Sequence, residues 1–349
     1  MKIHEKYIKR CIELAKNGLN SARPNPSVGS VIVYKNVIIG EGYTSAYGGN
    51  HAEVNAINAV ANKELLKDAT LYVSLEPCNH FGKTPPCSDL IVSHNIKTVV
   101  IGCVDPFEKV AGTGIEKLKL NGCNVIVGVL EKECIAVNRR FFTYHTKKRP
   151  YIILKWAETK DGFIDVIRNE ESEIKPNWIT QKYARQLVHK WRAEEDAILI
   201  GTNTAINDNP KLDVRDWIGN NPTRLILDRK LRIPKTHHIY NGTVKTIILT
   251  ESKVASVDGV IFEEIDFSKN LLDEIVSILN KYEMQSLFIE GGRQTLQTFI
   301  DAGLWDEARI FIGNNSFKEG IKAPIISGKI ISSKSIQSDL LRTIYNLDS

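Results

Sequence analysis

Several things are missing from this sequence, and each absence excludes a class of protein. No apolar run approaches the roughly 20 residues that a membrane-spanning helix needs. The opening Met1-Lys2-Ile3-His4-Glu5-Lys6 passes into an amphipathic pattern without a signal peptide's apolar core, so a cytoplasmic location is expected. A net charge of +5 over 349 residues, with no dense basic stripe, is no nucleic-acid footprint, although it suits an anionic small molecule. Cysteine is absent from the second half: Cys11, Cys78, Cys87, Cys103, Cys123 and Cys134 all fall in the first 134 residues. A disulfide framework belongs to small secreted domains, so a metal site plus idle thiols is the better reading of these six. No G-x-G-x-x-G follows a strand in the second half, which removes the dinucleotide fingerprint of a Rossmann domain.

What is present is the composition of a globular protein, 42% hydrophobic and 25% charged. The length exceeds one ordinary core and predicts two domains. Thr146-Lys147-Lys148-Arg149-Pro150, polar and basic and closed by proline, reads as the linker, giving domains 1–146 and 147–349. In the first, helical periodicity over 3–18 is followed by a hairpin around Lys35-Asn36 and a helix over 51–66. Strands at 70–75, 98–102 and 124–127 then alternate with helices at 88–93 and 114–120. In the second, strands at 151–157, 197–200, 223–228, 246–249, 286–289 and 307–312 alternate with helices at 181–194, 270–281 and 293–302. Both halves are therefore α/β, each with a central sheet covered by helices.

The chemistry in the first half is concentrated in His51-Ala52-Glu53, Pro77-Cys78 and Cys87. One imidazole and two thiolates form the ligand set of a catalytic Zn2+ whose fourth position stays open for water. Glu53, two residues after the histidine, is placed to move that water's protons. The pattern H-x-E…P-C…C is the signature of zinc-dependent nucleobase deaminases. Here eight residues separate the cysteines where C-x-x-C is commoner, and that polar, proline-rich loop reads as a substrate wall. Two rivals stand beside this reading. One is a nucleic-acid deaminase, which the modest charge opposes. The other is a closed structural zinc site, for which His80 is the nearest spare ligand. In the second half, Glu290-Gly291-Gly292-Arg293-Gln294-Thr295 follows a strand and opens a helix, where backbone N–H groups can bind phosphate.

The run from Pro77 to Cys87 (PCNHFGKTPPC), with His51-Ala52-Glu53-Val54 and Arg23-Pro24-Asn25-Pro26-Ser27-Val28-Gly29 before it, closely resembles the bifunctional deaminase–reductase family of riboflavin biosynthesis. Asp105-Pro106 and Val110-Ala111-Gly112-Thr113-Gly114-Ile115 extend the likeness, as do Leu154-Lys155, Asp161-Gly162, Trp178-Ile179-Thr180 and Gly201-Thr202-Asn203-Thr204. So do the run from Asp208 to Arg215 (DNPKLDVR) and Glu290-Gly291-Gly292. The resemblance implies a cytidine-deaminase-like α/β/α sandwich followed by an α/β domain similar to dihydrofolate reductase. It also implies Zn2+ and NADPH as cofactors, a phosphorylated pyrimidine substrate and a homo-oligomer. By position, Asn25, His80, Lys83 and Thr84 would contact the pyrimidine substrate. Trp178, Thr204, Asp208 and the segment beginning Gly292, Arg293, Gln294, Thr295 would face NADPH. Arg192, Leu212, Arg215 and Glu290 would face the sugar phosphate, with Lys155 assisting binding or protonation.

Three positions depart from the family pattern. Thr44 stands where a histidine is usual, Pro176 where a serine commonly precedes W-I-T, and Arg229 where a serine follows the third-strand aspartate. No motif is legible after Gly320.

Overall fold

The structure is a computed structural model that describes residues 2–19, 21–81, 85–107, 110–169 and 171–347. The chain divides into two compact units, Met1–Lys148 and Arg149–Ser349. Among the described residues no helix is long and apolar enough to cross a membrane.

In the first unit, helix α1 (Lys2–Ala15) leads to the hairpin β1 (Gly29–Tyr34) and β2 (Val37–Tyr43). Lys35 and Asn36 both take positive φ at its tip, as a two-residue turn of that twist requires. Next come α2 (Ala52–Ala59), β3 (Thr70–Leu75), α3 (Cys87–Ser93), β4 (Thr98–Cys103), α4 (Thr113–Leu120), β5 (Asn124–Val127), α5 (Glu131–Val137) and α6 (Arg139–Lys147). The sheet order is β2-β1-β3-β4-β5, antiparallel across β2, β1 and β3 and parallel from β3 to β5. Five of the six residues in each of β3 and β4 are buried, because helices cover both faces of the sheet. Helix α1 lies so close to β1 that a Cβ on Gly29 would sit 1.9 Å from the Cys11 carbonyl oxygen.

Two expectations need correction here. The helix expected over 51–66 stops at Ala59: Lys63 folds its ammonium back onto the carbonyls of Ile57, Asn58 and Val60. Asn62 then caps a separate short 3-10 helix, Lys63–Asp68, by accepting the Glu64 N–H at 3.1 Å. The polar stretch read as linker begins inside α6, which continues to Lys147.

The second unit runs β6 (Tyr151–Glu158), β7 (Phe163–Asp165), α7 (Lys182–Ala193), β8 (Ala197–Gly201), α8 (Thr202–Asp208), β9 (Thr223–Leu227), β10 (Thr246–Thr250) and β11 (Val260–Glu264). It continues through α9 (Leu271–Lys281), β12 (Ser286–Gly291), α10 (Arg293–Asp301), β13 (Glu307–Ile312), β14 (Ile321–Lys322), β15 (Lys329–Ile336) and β16 (Asp339–Tyr345). Nine strands form one sheet, ordered β11-β10-β9-β8-β12-β6-β13-β16-β15. The first seven are parallel, and the β15–β16 hairpin closes one edge antiparallel. That hairpin is the part of the fold with no sequence signal, since β15 is largely exposed and its residues do not alternate in polarity. Two apolar clusters, one on each sheet face, make the core.

Gly29→Ala should destabilise the protein by on the order of 2 kcal/mol or more, since the carbonyl it meets belongs to a helix that cannot shift alone. Denaturant unfolding with an unchanged midpoint would refute this packing.

Candidate active sites

In the first unit the chemistry gathers where parallel strand β3 ends. Pro77 cannot donate to the ladder, so the chain leaves the sheet and brings Cys78 out beside it. Cys87 opens α3 directly after Pro86, and His51 sits at the cap of α2 in extended backbone. Their ligand atoms all lie within 4.8 Å of one another. His51 Nδ1 is 3.5 Å from Cys78 Sγ and 3.4 Å from Cys87 Sγ. Tetrahedral zinc, with bonds of about 2.0 Å to nitrogen and 2.3 Å to sulfur, holds such pairs about 3.5 Å apart, so the donor set fits. Cys87 also donates its backbone N–H to Cys78 Sγ at 3.3 Å. Hydrogen bonding from Cys87 and then His51 lowers the pKa of the Cys78 thiol, which favours the thiolate form that a metal takes. Glu53, 3% exposed, is pushed up to about 7 by burial, which suits a group that both takes and gives a proton. Among the described residues neither His80 nor His94 joins the group, and three ligands leave an open position. This opposes the closed structural site.

His80 is exposed and meets the Phe107 ring edge-on at 6.3 Å. Asn25 is half-buried in the loop after α1. Lys83 and Thr84 lie outside the described residues. Thr44 is buried, and its hydroxyl accepts the Val28 N–H at 2.9 Å. It therefore holds the 23–28 loop where the family's histidine is absent. The opposite flank of that loop is clamped by Asn138, which bonds both the N–H and the carbonyl of Ser27 at 2.9 Å.

Glu76 is a residue that sequence reasoning missed. It precedes Pro77, is 3% exposed, and among the described residues its hydrogen bonds come from backbone N–H groups. Four backbone N–H groups, of Asp105, Gly112, Gly114 and Ile115, donate to its carboxylate at 3.0–3.2 Å. It ties the segment after β4 and the start of α4 to the chain beside Cys78. The available signal was an acid adjoining a ligand at the end of an apolar strand, with the G-T-G run downstream.

In the second unit a cavity of about 610 Å³ opens beyond the C-terminal ends of β6, β8 and β12, where ligands bind in sheets of this kind. Lys155, Thr204, Asp208, Glu290, Gly292, Arg293, Gln294 and Thr295 all line it, together with Pro176. Gly291 has φ +138°, and a Cβ on Gly292 would come 2.9 Å from Thr204 Oγ1, so the turn into α10 requires glycine. Lys155 and Glu290, whose side chains are only 15% and 8% exposed, stand 3.8 Å apart. Arg192 grips Glu290 through Nε at 2.6 Å and Nη2 at 2.8 Å. Burial opposes the charge on Glu290, but Arg192 and Lys155 prevail and hold the carboxyl down to about 2.

The other expected residues fall elsewhere. Trp178 does not line the cavity; its ring is 58% exposed and lies against the Arg185 guanidinium at 5.4 Å. Leu212 is buried in the core with φ +51°. Arg215 is exposed and pairs with Asp213 at 2.5 Å. Arg192 reaches the cavity only through Glu290. Arg229 pairs with Glu251 at 2.8 Å, outside the lining. The unanticipated resident is Arg168, from the loop after β7: it lines the cavity and bonds Asp208 Oδ1 at 2.8 Å.

A His-Cys-Cys group at one strand end and a glycine turn over a cavity at the ends of a second, parallel sheet give the chain two separate candidate sites, one of them with the donor set of a zinc-type deaminase. Comparison with known proteins is specific on both. Residues 1–103 match the cytidine and deoxycytidylate deaminase zinc-binding region, and residues 150–315 match the RibD C-terminal domain. The riboflavin biosynthesis protein RibD of Aquifex aeolicus is 39% identical over 329 residues, covering 91% of this chain and 89% of that protein. RibD of Escherichia coli is 32% identical, covering 88% and 87%. The crystal structure of a diaminohydroxyphosphoribosylaminopyrimidine deaminase/5-amino-6-(5-phosphoribosylamino)uracil reductase from Thermotoga maritima superposes with a TM-score of 0.89 at 38% identity, covering 99% of each chain. The chain belongs to the RibD family of bifunctional riboflavin biosynthesis proteins, with that family's deaminase and reductase domains.

Cys78→Ser should lose stoichiometric zinc while Glu53→Gln keeps it; metal analysis that finds equal zinc in both would remove Cys78 from the ligand set. Glu76→Gln turns an amide NH2 toward backbone donors and should cost about 1–3 kcal/mol for each one left unmet, read from urea unfolding. Arg192→Met leaves Glu290 buried with Lys155 alone and should cost about 3–5 kcal/mol by the same measurement.

Proposed function

We propose that the first domain hydrolytically deaminates 2,5-diamino-6-(5-phosphoribosylamino)pyrimidin-4(3H)-one to 5-amino-6-(5-phosphoribosylamino)uracil. The second then reduces the ribosyl group to the ribityl chain with NADPH. The observation that carries the reading is the open three-ligand group of His51, Cys78 and Cys87 with Glu53 buried beside it, on a chain that also holds the lined cavity of the RibD C-terminal domain. The two activities in the Thermotoga protein's name follow one another chemically, since the first product is the second substrate.

Zinc, when bound, lowers the pKa of a coordinated water toward neutrality. Glu53 takes a proton from the water that attacks the amino-bearing ring carbon and passes it to the ring nitrogen. The C–O bond forms; Glu53 then takes the second proton from the newly attached hydroxyl and delivers it to the amine, the C–N bond breaks as the carbonyl forms, and the amine leaves as ammonia. Asn25, His80, Lys83 and Thr84 are assigned to the pyrimidine and its substituents, an amide and a cation being suited to the ring edge and a phosphate.

NADPH supplies the hydride for the second step. The glycine turn and the N-terminus of α10, with Thr204, Arg293, Gln294 and Thr295, are assigned to its phosphates and ribose, and Trp178 and Asp208 to its flanks. Lys155 is assigned to protonation at the sugar: burial lowers its pKa, Glu290 opposes that shift and Arg192 adds to it, so its Nζ proton is easier to give up than that of an exposed lysine. Arg192, Leu212 and Arg215 are assigned to the sugar phosphate. The Arg192 guanidinium is engaged by Glu290 and the Asp213 carbonyl, and the more exposed Arg215, held by the Asp213 carboxylate, is the one assigned to the phosphate oxygens. A cytoplasmic homo-oligomer completes the reading, on family likeness.

Mass spectrometry of the diaminopyrimidinone substrate with purified protein tests both halves, with NADPH withheld until a first sample is drawn. Deaminated product is expected before NADPH and the ribityl product after it. Glu53→Gln should reduce the first step by about 10²–10⁴-fold and leave reduction of added 5-amino-6-(5-phosphoribosylamino)uracil intact. Reduction without prior deamination by the native protein would overturn the order.

A further inference from the structure

Helix α7 uses one face for a task that the motifs do not announce. Arg185, His189 and Arg192 stand at i, i+4 and i+7, so they line up along it. Each fastens a different part of the loop that follows α8. Arg192 Nη1 donates to the Asp213 carbonyl at 3.1 Å, and Arg185 Nε donates to Asp216 Oδ2 at 2.8 Å. Between them, His189 Nδ1 accepts the backbone N–H of Arg215 at 3.4 Å. The other ring nitrogen, Nε2, lies 3.7 Å from Asp216 Oδ2. An acceptor at Nδ1 is what the neutral Nε2–H imidazole supplies. The ring is 1% exposed, and Arg192, Arg215, Asp216 and Glu290 are the charges that act on it. Burial first, then Arg192 and Arg215, push its pKa down to about 4, so it stays neutral at the pH of the cell.

The segment so fastened is irregular. Leu212 takes positive φ just before it, and among the described residues the Arg215 guanidinium is held by Asp213. A side chain on an irregular loop is aimed by whatever fixes the backbone beneath it. We propose that His189 is a positioning residue of the reductase domain: by accepting the Arg215 N–H it sets the backbone from which the Arg215 guanidinium meets the phosphate of the substrate. This rests on the assignment of Arg215 to that phosphate. It adds a residue that touches neither substrate nor cofactor and that acts on substrate affinity alone.

The test compares His189→Phe, which fills the space without an acceptor, with His189→Gln, whose amide can accept from Arg215 and donate to Asp216. Arg215→Gln is the control. Reduction is assayed with 5-amino-6-(5-phosphoribosylamino)uracil and with its dephosphorylated analogue, and NADPH affinity is measured by fluorescence titration. Losing one such hydrogen bond predicts a KM for the phosphorylated substrate raised about fivefold to tenfold in His189→Phe. The kcat, the NADPH Kd and the KM for the dephosphorylated analogue should stay unchanged, and His189→Gln should restore the native KM. His189→Leu serves the same purpose if the phenylalanine protein does not fold. A native KM in the acceptor-less variants, or a rise that both substrates and NADPH share, overturns the positioning role while Arg215→Gln still weakens the phosphorylated substrate. If Arg215→Gln has no effect on that substrate, the phosphate assignment falls and the positioning role falls with it.

Discussion

A carboxylate taken out of water costs several kcal/mol unless hydrogen bonds or opposite charges replace its hydration, and each unit is organised around one that is held in this way. In the first unit Glu76 collects four backbone N–H groups, which fixes the chain on both sides of the β3 and β4 ends. In the second, Glu290 is enclosed by Arg192 and Lys155, which fixes the end of β12 against β6 and α7. Neither carboxylate can move without abandoning its partners. The cysteine ligand next to Glu76 and the glycine turn next to Glu290 inherit that rigidity.

The parallel strands explain why the chemistry collects where it does. A parallel strand must be left by a crossover, so its C-terminal end opens into a loop, usually followed by a helix. Cys78 lies past β3, the glycine turn past β12 and Thr204 past β8. In each case a regular strand sets the position while the loop supplies free polar groups. Covering helices keep the rest of each sheet dry, as the burial of β3, β4, β8 and β12 shows.

Much of this was legible before any coordinates. His51, Cys78 and Cys87 were readable as a metal set because their chemistry is rare and their order is specific, and the three ligand atoms converge. The alternation of strands and helices was legible from hydrophobic periodicity. What escaped was whatever depends on contacts far apart in sequence. Lys63 ends α2 by turning back on its carbonyls, which no periodicity reports. Trp178 sits in a run that suggests the cavity, yet its ring lies outside against Arg185. Arg168 looked like one charge in a polar loop, and it lies in the cavity wall bonded to Asp208.

By itself the sequence determined the two α/β units, the metal-binding residue types and the glycine turn, because each is written in local spacing or in residues with few alternative uses. The tertiary structure decided which charges meet. Arg192 and Glu290 are 98 positions apart, and Glu76 and Ile115 are 39 apart. The physical reason is that a side chain's role is set by the partners that replace its water. Those partners arrive only when the sheets have formed and brought distant loops to the same strand ends.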